Sequence, residues 1–111
     1  MSGSNLFTGT LDLLVLQTLA GQKLHGYAIG RSIRAAGGDA LAVEEGALYP
    51  ALHRLEARGL LEAGWGRTDT GRRAKFYTLT ADGRAHMEAE RARWEAHARA
   101  VWAVLEAGGA S

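Results

Sequence analysis

The 111-residue sequence has no cysteine, which removes disulfides, thiolate zinc sites and cysteine nucleophiles and suits a reducing compartment. It has no long apolar run either. The stretch after the N-terminus is interrupted by Asp12 and Gln17, and residues 1–5 lack a basic start. Neither secretion nor a membrane span is therefore expected, and a cytoplasmic location is. No Gly-rich phosphate loop, nucleophile elbow or carboxylate pair in an apparent cleft is recognisable, so neither an enzyme nor a bound cofactor is expected. Charge excess is also missing: 13 Lys and Arg against 12 Asp and Glu leave a net +1.

What is present is ordinary globular material. Hydrophobic residues make up 47% and charged residues 23% of the chain, enough to build one packed core in a chain with room for one domain. The small net charge hides an uneven distribution. Arg67, Arg72, Arg73 and Lys75 stand against Asp69 alone, so this one short segment carries +3 and the remainder −2. A concentrated basic patch of this kind is the electrostatic footprint of nucleic-acid binding.

Periodicity predicts four helices and a hairpin. Thr8-Gly9-Thr10 leads into Leu11, Leu14, Val15, Thr18 and Leu19 at helical spacing, with Gly21 as the stop. His25-Gly26-Tyr27 opens a second helix in which Ile29 and Ile33 are four apart, ended by Gly37-Gly38. The link through Leu41 and Val43 alternates apolar with small or acidic residues and is read as a place for a short extended piece. In residues 46–58, Leu48, Ala51, Leu52 and Leu55 share one face, and Gly59 closes the helix. The lone proline, Pro50, is tolerated only near a helix start, which sets that start close to Ala47. The opposite face carries Gly46, Tyr49, Pro50, His53, Arg54 and Ala57. Strands are predicted over 60–65 and 75–80, joined by a basic tip. Thr80 is a candidate cap for a last helix running to about Ala107, ahead of Gly108-Gly109.

Three helices followed by a two-stranded hairpin is the order of a winged helix-turn-helix, in which the third helix enters the major groove and the wing meets the backbone or minor groove. The expected fold is thus α+β, mostly α, with residues 1–80 as the DNA-binding region and 81–111 as one long dimerisation helix and tail. Along that helix Met87, Trp94, Ala98, Val101 and Leu105 recur at spacings of seven, four and three, with Trp102 alongside. This is a coiled-coil-like seam, and a second copy of the chain is the expected cover.

The residues carrying this pattern, namely Leu11-Asp12-Leu13-Leu14-Val15-Leu16, His25-Gly26-Tyr27, the run from Glu45 through Tyr49-Pro50 to Glu56, Gly71-Arg72-Arg73 and Tyr77-Thr78-Leu79-Thr80, resemble the PadR family of bacterial transcriptional regulators. The resemblance covers nearly the whole chain and is similar to the family's short subgroup, with one C-terminal helix. It implies a homodimeric repressor of double-stranded operator DNA, released by a small hydrophobic or aromatic effector. It also implies that Tyr27 and Tyr49 donate hydroxyls to phosphates, although each is equally readable as a half-buried packing residue. Ala47 departs from the family pattern, where a hydroxyl residue is more usual. At the position matching Trp94, a tryptophan in some relatives stacks on planar ligands, with residues such as Leu13 and Gln17 lining the space. The plainer reading of Trp94 is an interface residue.

The candidate DNA-binding residues are therefore Tyr27, Ala47, Tyr49, Pro50, His53, Arg54, Arg72, Arg73 and Lys75. Arg54 suits guanine O6 and N7, and the wing cations suit phosphates. Four histidines (His25, His53, His86, His97) and the i,i+4 pair His86 and Glu90 invite a metal site, but they fall on separate elements and no cysteine accompanies them, so no metal is expected. The competing function is a winged-helix module that uses the third helix for a protein partner and has no sequence preference on DNA.

Overall fold

The computed structural model describes residues 4–110. Its elements in order are α1 (Ser4–Thr18), β1 (Leu24–His25), α2 (Gly26–Gly37), a 3-10 turn (Gly38–Leu41), α3 (Glu45–Ala57), β2 (Leu61–Arg67), β3 (Arg73–Leu79) and α4 (Ala81–Ala110). The fold is mostly helical with a small antiparallel sheet, a winged helix-turn-helix carrying a long final helix. The expected start of α1, with a threonine of Thr8-Gly9-Thr10 as its cap, is not what forms: the helix begins at Ser4, so both threonines lie within it.

One core holds the three leading helices together. Leu11, Val15, Leu16 and Leu19 from α1 and its end meet Ile29 and Ile33 of α2 and Leu48, Ala51, Leu52 and Leu55 of α3, all buried. The spacing marked these residues except in α1, where Leu16 is buried although it was not on the expected face, and Leu14 and Thr18, which were, are only partly buried. The His25 imidazole caps α2 by accepting the Ala28 N–H at 3.4 Å, and Gly38 ends it with φ +75°, a left-handed region that favours glycine.

The end of α3 is a Schellman turn. Leu60 N–H donates to the Leu55 carbonyl and Gly59 N–H to that of Glu56, both at 2.9 Å, with Gly59 at φ +76°. Leu55 and Leu60, which flank this turn, are both buried. The start of α3 lies two residues before the expected one. Pro50 is the sixth residue of the helix, so it withholds a hydrogen bond from the carbonyl of Gly46, an exposed residue.

The sheet has order β1-β3-β2, with the wing paired in full register from Leu61 opposite Leu79 to Arg67 opposite Arg73. The third strand, β1, was read as part of a helix start. It pairs Leu24 with Tyr77 and His25 with Phe76, a tertiary contact with no local period. The link opens with the 3-10 turn, beside an Arg34–Asp39 ion pair at 2.8 Å, and then has extended backbone at Ala42 and Glu44 that pairs with no strand.

Thr80 caps α4 as expected and does more. Its Oγ1 accepts Gly83 N–H at 2.9 Å and donates to the Gly59 carbonyl at 2.7 Å, while its own N–H donates to the Leu60 carbonyl at 3.2 Å. Gly83 then lies against that same Leu60 carbonyl, where an added Cβ would sit 2.1 Å from the oxygen. The helix passes through Gly108-Gly109 to Ala110 rather than stopping there, because Gly inside a helix costs only about 1 kcal/mol. No helix among the described residues is long and apolar enough to cross a membrane.

Candidate nucleic-acid interface

An α-helix advances about 100° per residue, and this divides α3 into four strips. Leu48, Ala51, Leu52 and Leu55 face the core. Opposite them lie Gly46, Pro50, His53 and Ala57, all exposed. Tyr49 and Glu56 point to the wing side, and Ala47, Arg54 and Arg58 point to the side of α1. The outward strip is therefore nearly smooth, with His53 as its one hydrogen-bonding side chain.

The wing stands beside this strip. Alternation along paired strands puts Trp65 of β2 on one hairpin face with Arg73, Lys75 and Tyr77 of β3. Tyr77 is the buried member of that face. The turn is closed by Thr68 N–H donating to the Arg72 carbonyl at 2.8 Å and by Arg67 Nη1 donating to the Gly71 carbonyl at 2.9 Å. Gly71 adopts φ +83°. Arg72 is left exposed at the tip.

A groove of about 660 Å³ separates the wing from the starts of α2 and α3, walled by Tyr27, Tyr49, Trp65, Arg73 and Lys75 among others. Its aromatic walls are paired with cations. The Arg73 guanidinium lies 4.3 Å from the Trp65 ring centre and that of Arg31 5.6 Å from Tyr27. Tyr27 also stacks on His25 at 6.5 Å. Tyr49 packs over Gly26, where a Cβ would meet its ring at 2.6 Å. Burial, and then the nearby Glu45 carboxylate, push the Tyr49 phenol above its ordinary pKa, so it stays a hydroxyl donor at neutral pH.

The structure brings most of the anticipated residues to this one side, with two qualifications. Lys75, anticipated as a free cation, donates to Glu56 Oε1 at 3.1 Å, and this bond is the main cause that raises its pKa above the ordinary value. Arg54 Nη2 is paired with Asp12 of α1 at 2.9 Å, so one edge of its guanidinium is already engaged by a carboxylate. Trp65, 63% exposed on the wing, was not singled out from sequence. A large aromatic beside a basic hairpin tip was the available signal.

The seam residues divide in the same way. Met87, expected at the dimer interface, is 5% exposed and packs in the chain's own core. Trp94, Val101, Trp102 and Leu105 are exposed, Ala98 is partly so, and Val104, absent from the expected seam, is 71% exposed. A cavity of about 440 Å³ between α1 and α4 is lined by Asp12, Leu13, Arg58, His86, Glu90 and Trp94 among others. Gln17, anticipated there with Leu13 and Trp94, is exposed and does not line it. His86 and Glu90 are 4.0 Å apart, and among the described residues no group of three or more His, Cys, Asp or Glu side chains converges on a metal-sized space.

A three-helix unit with an antiparallel hairpin, whose basic tip stands beside the exposed face of the third helix, defines the winged helix-turn-helix class. The profile of the transcriptional regulator PadR-like family matches residues 15–89, and the chain belongs to that family. It is 37% identical over 89 residues to a transcriptional regulator of Mycobacterium tuberculosis, covering 80% of this chain and 79% of that one. Among solved structures, a PadR family transcriptional regulator from Eggerthella lenta is similar with a TM-score of 0.78 and 32% identity, covering 93% of this chain and 88% of that one. A PadR family regulator from Clostridium difficile gives a TM-score of 0.75 at 26% identity, covering 86% and 98%. The protein is thus a transcriptional regulator and not an enzyme, and regulators of this family bind DNA.

Proposed function

We propose that the chain is a homodimeric repressor that lays α3 in the major groove of a two-fold symmetric operator, with the wing on the adjacent backbone or minor groove. The observation that carries this reading is the exposed Arg72 and the Trp65-stacked Arg73 beside the outward strip of α3. Because that strip offers His53 alone, with Tyr49 and Arg54 at its edges, operator preference rests on few base contacts and partly on DNA shape.

Dimerisation is supported by α4. Side chains over 99–108 are exposed, and an unsupported helical end is marginal in water. The apolar residues of this end, Val101, Trp102, Val104 and Leu105, form a patch suited to a second copy.

The test is a salt titration of binding to the chain's own upstream DNA against a scrambled duplex. The wild type prefers the former and loses affinity steeply with salt. Arg72→Ala lowers the slope of log K against log salt by about one. Equal, weak binding of the wild type to both duplexes would instead favour a winged helix used for protein partners.

The cavity between α1 and α4, with Leu13 and Trp94 on its wall, is the proposed seat of a small aromatic effector. Such a ligand releases DNA only if it binds the DNA-incompetent dimer more tightly. With Trp65 and Trp102 replaced by Phe, the remaining Trp94 emission is quenched by a planar cationic drug or a flavonoid. Insensitivity to every such compound would remove the effector from the proposal.

A further inference from the structure

Among the described residues, two ion pairs join elements far apart in sequence, and both end on α3: Arg54 with Asp12 at 2.9 Å and Glu56 with Lys75 at 3.1 Å. Residues two apart on a helix point about 200° apart, so the pairs brace opposite flanks. The first ties α3 to α1 and the second ties it to wing strand β3.

The second pair has features of a built contact. Glu56 lies in the last turn of α3, where the negative end of the helix dipole disfavours a carboxylate unless a cation compensates. Lys75 supplies that cation from the wing. Both side chains are about one-third exposed, at 35% and 34%, so solvent screens them less than a surface pair. The ammonium also lies 5.7 Å from the ring of Tyr77, itself 3% exposed. Lys75 is thereby held between a carboxylate of α3 and a ring fixed in the core.

We infer that Glu56 and Lys75 are positioning residues whose ion pair fixes the wing against α3, so that the hairpin tip and the recognition face meet one duplex at a set separation. The inference rests on the DNA-binding reading. It assigns Lys75 a role other than phosphate contact, and it gives Glu56, an acidic residue beside a DNA-facing surface, a reason to be there.

Glu56→Gln separates the two roles by sign. If Glu56 merely restrained a phosphate-binding lysine, its loss would tighten binding to operator and scrambled duplex alike. If the pair positions the wing, its loss lowers the ratio of operator to scrambled affinity by about three- to tenfold, as a partly shielded ion pair allows. The salt slope stays unchanged, because no phosphate contact is lost. Lys75→Met should do the same, and Glu56→Lys combined with Lys75→Glu should recover most of the ratio lost in Lys75→Glu alone.

A readout without DNA accompanies these: amide hydrogen exchange over 61–79 quickens in Glu56→Gln while that of α1 does not. Tighter binding to both duplexes by Glu56→Gln, a slope lowered by about one in Lys75→Met, or wild-type ratio and exchange in Glu56→Gln would each overturn the inference. Should the wild type fail to discriminate between duplexes, the DNA-binding reading falls, and the exchange comparison still decides whether the pair holds the wing.

Discussion

Replacing Gly83 with alanine is expected to lower the thermal midpoint by about 5 °C, although alanine is ordinarily favoured over glycine in helices by roughly 1 kcal/mol. The sign is reversed by what Gly83 touches. An added Cβ would stand 2.1 Å from the Leu60 carbonyl oxygen and 2.8 Å from Leu79 Cδ1. The side chain of Leu79 has room to turn, but the carbonyl does not move freely. It belongs to the segment between the Schellman turn and β2 and already accepts the Thr80 N–H. Forcing atoms into such a contact costs typically 1–3 kcal/mol, and each kcal/mol moves the midpoint of a domain near this size by about 4–6 °C. Thermal melts followed by circular dichroism check this, with Gly46→Ala as the control, because a Cβ there meets nothing within 4 Å. A raised midpoint for Gly83→Ala would show that α4 shifts away from Leu60 at little cost.

Val101→Glu with Leu105→Glu should convert the proposed dimer to monomers and weaken operator binding by a factor on the order of 100 or more, since its two linked half-site contacts would become one. The argument runs along one stripe of α4. Met87, Trp94, Ala98, Val101 and Leu105 fall on a common face, yet Met87 is buried by the chain's own core whereas Val101 and Leu105 are 41% and 57% exposed. The stripe continues where the chain's own cover ends. Two carboxylates there have no cost to a monomer but are buried without partners in a dimer. Sedimentation equilibrium reads the assembly and fluorescence anisotropy the binding. A double variant that stays dimeric would place the interface elsewhere on the molecule.

That stripe also illustrates what was legible in the sequence. Its period was plain from Met87 to Leu105, but no period tells where one subunit's core stops, so Met87 was read with the interface. Helix α3 was legible because Leu48, Ala51, Leu52 and Leu55 recur at helical spacing ahead of Gly59, and the wing because two strand-like runs flank Gly71-Arg72-Arg73. The cap at Thr80 was visible, whereas its second bond to the Gly59 carbonyl joins residues 21 apart and has no local trace. Strand β1 escaped for the same reason: two residues carry no alternation, and only Phe76 and Tyr77 across the sheet define them. Lys75 looked like its basic neighbours until the position of Glu56 was known. Trp65, 63% exposed, has no local mark of its position, because an aromatic in a strand packs as readily into a core as onto an open face.

The joint between α3 and α4 has a mechanical consequence. Thr80 bonded to Gly59 and Leu60, with Gly83 pressed on the Leu60 carbonyl, leaves little play between the end of one helix and the start of the other. A 30-residue helix is about 45 Å long, so α4 acts as a rigid arm with α3 clamped near one end. In the proposed dimer, a tilt of about 5° between paired arms sweeps the clamped end through about 4 Å at that length. The rise of one base pair is about 3.4 Å. A small wedge near the far end of the arms is therefore enough to put the two reading heads out of step with the double helix.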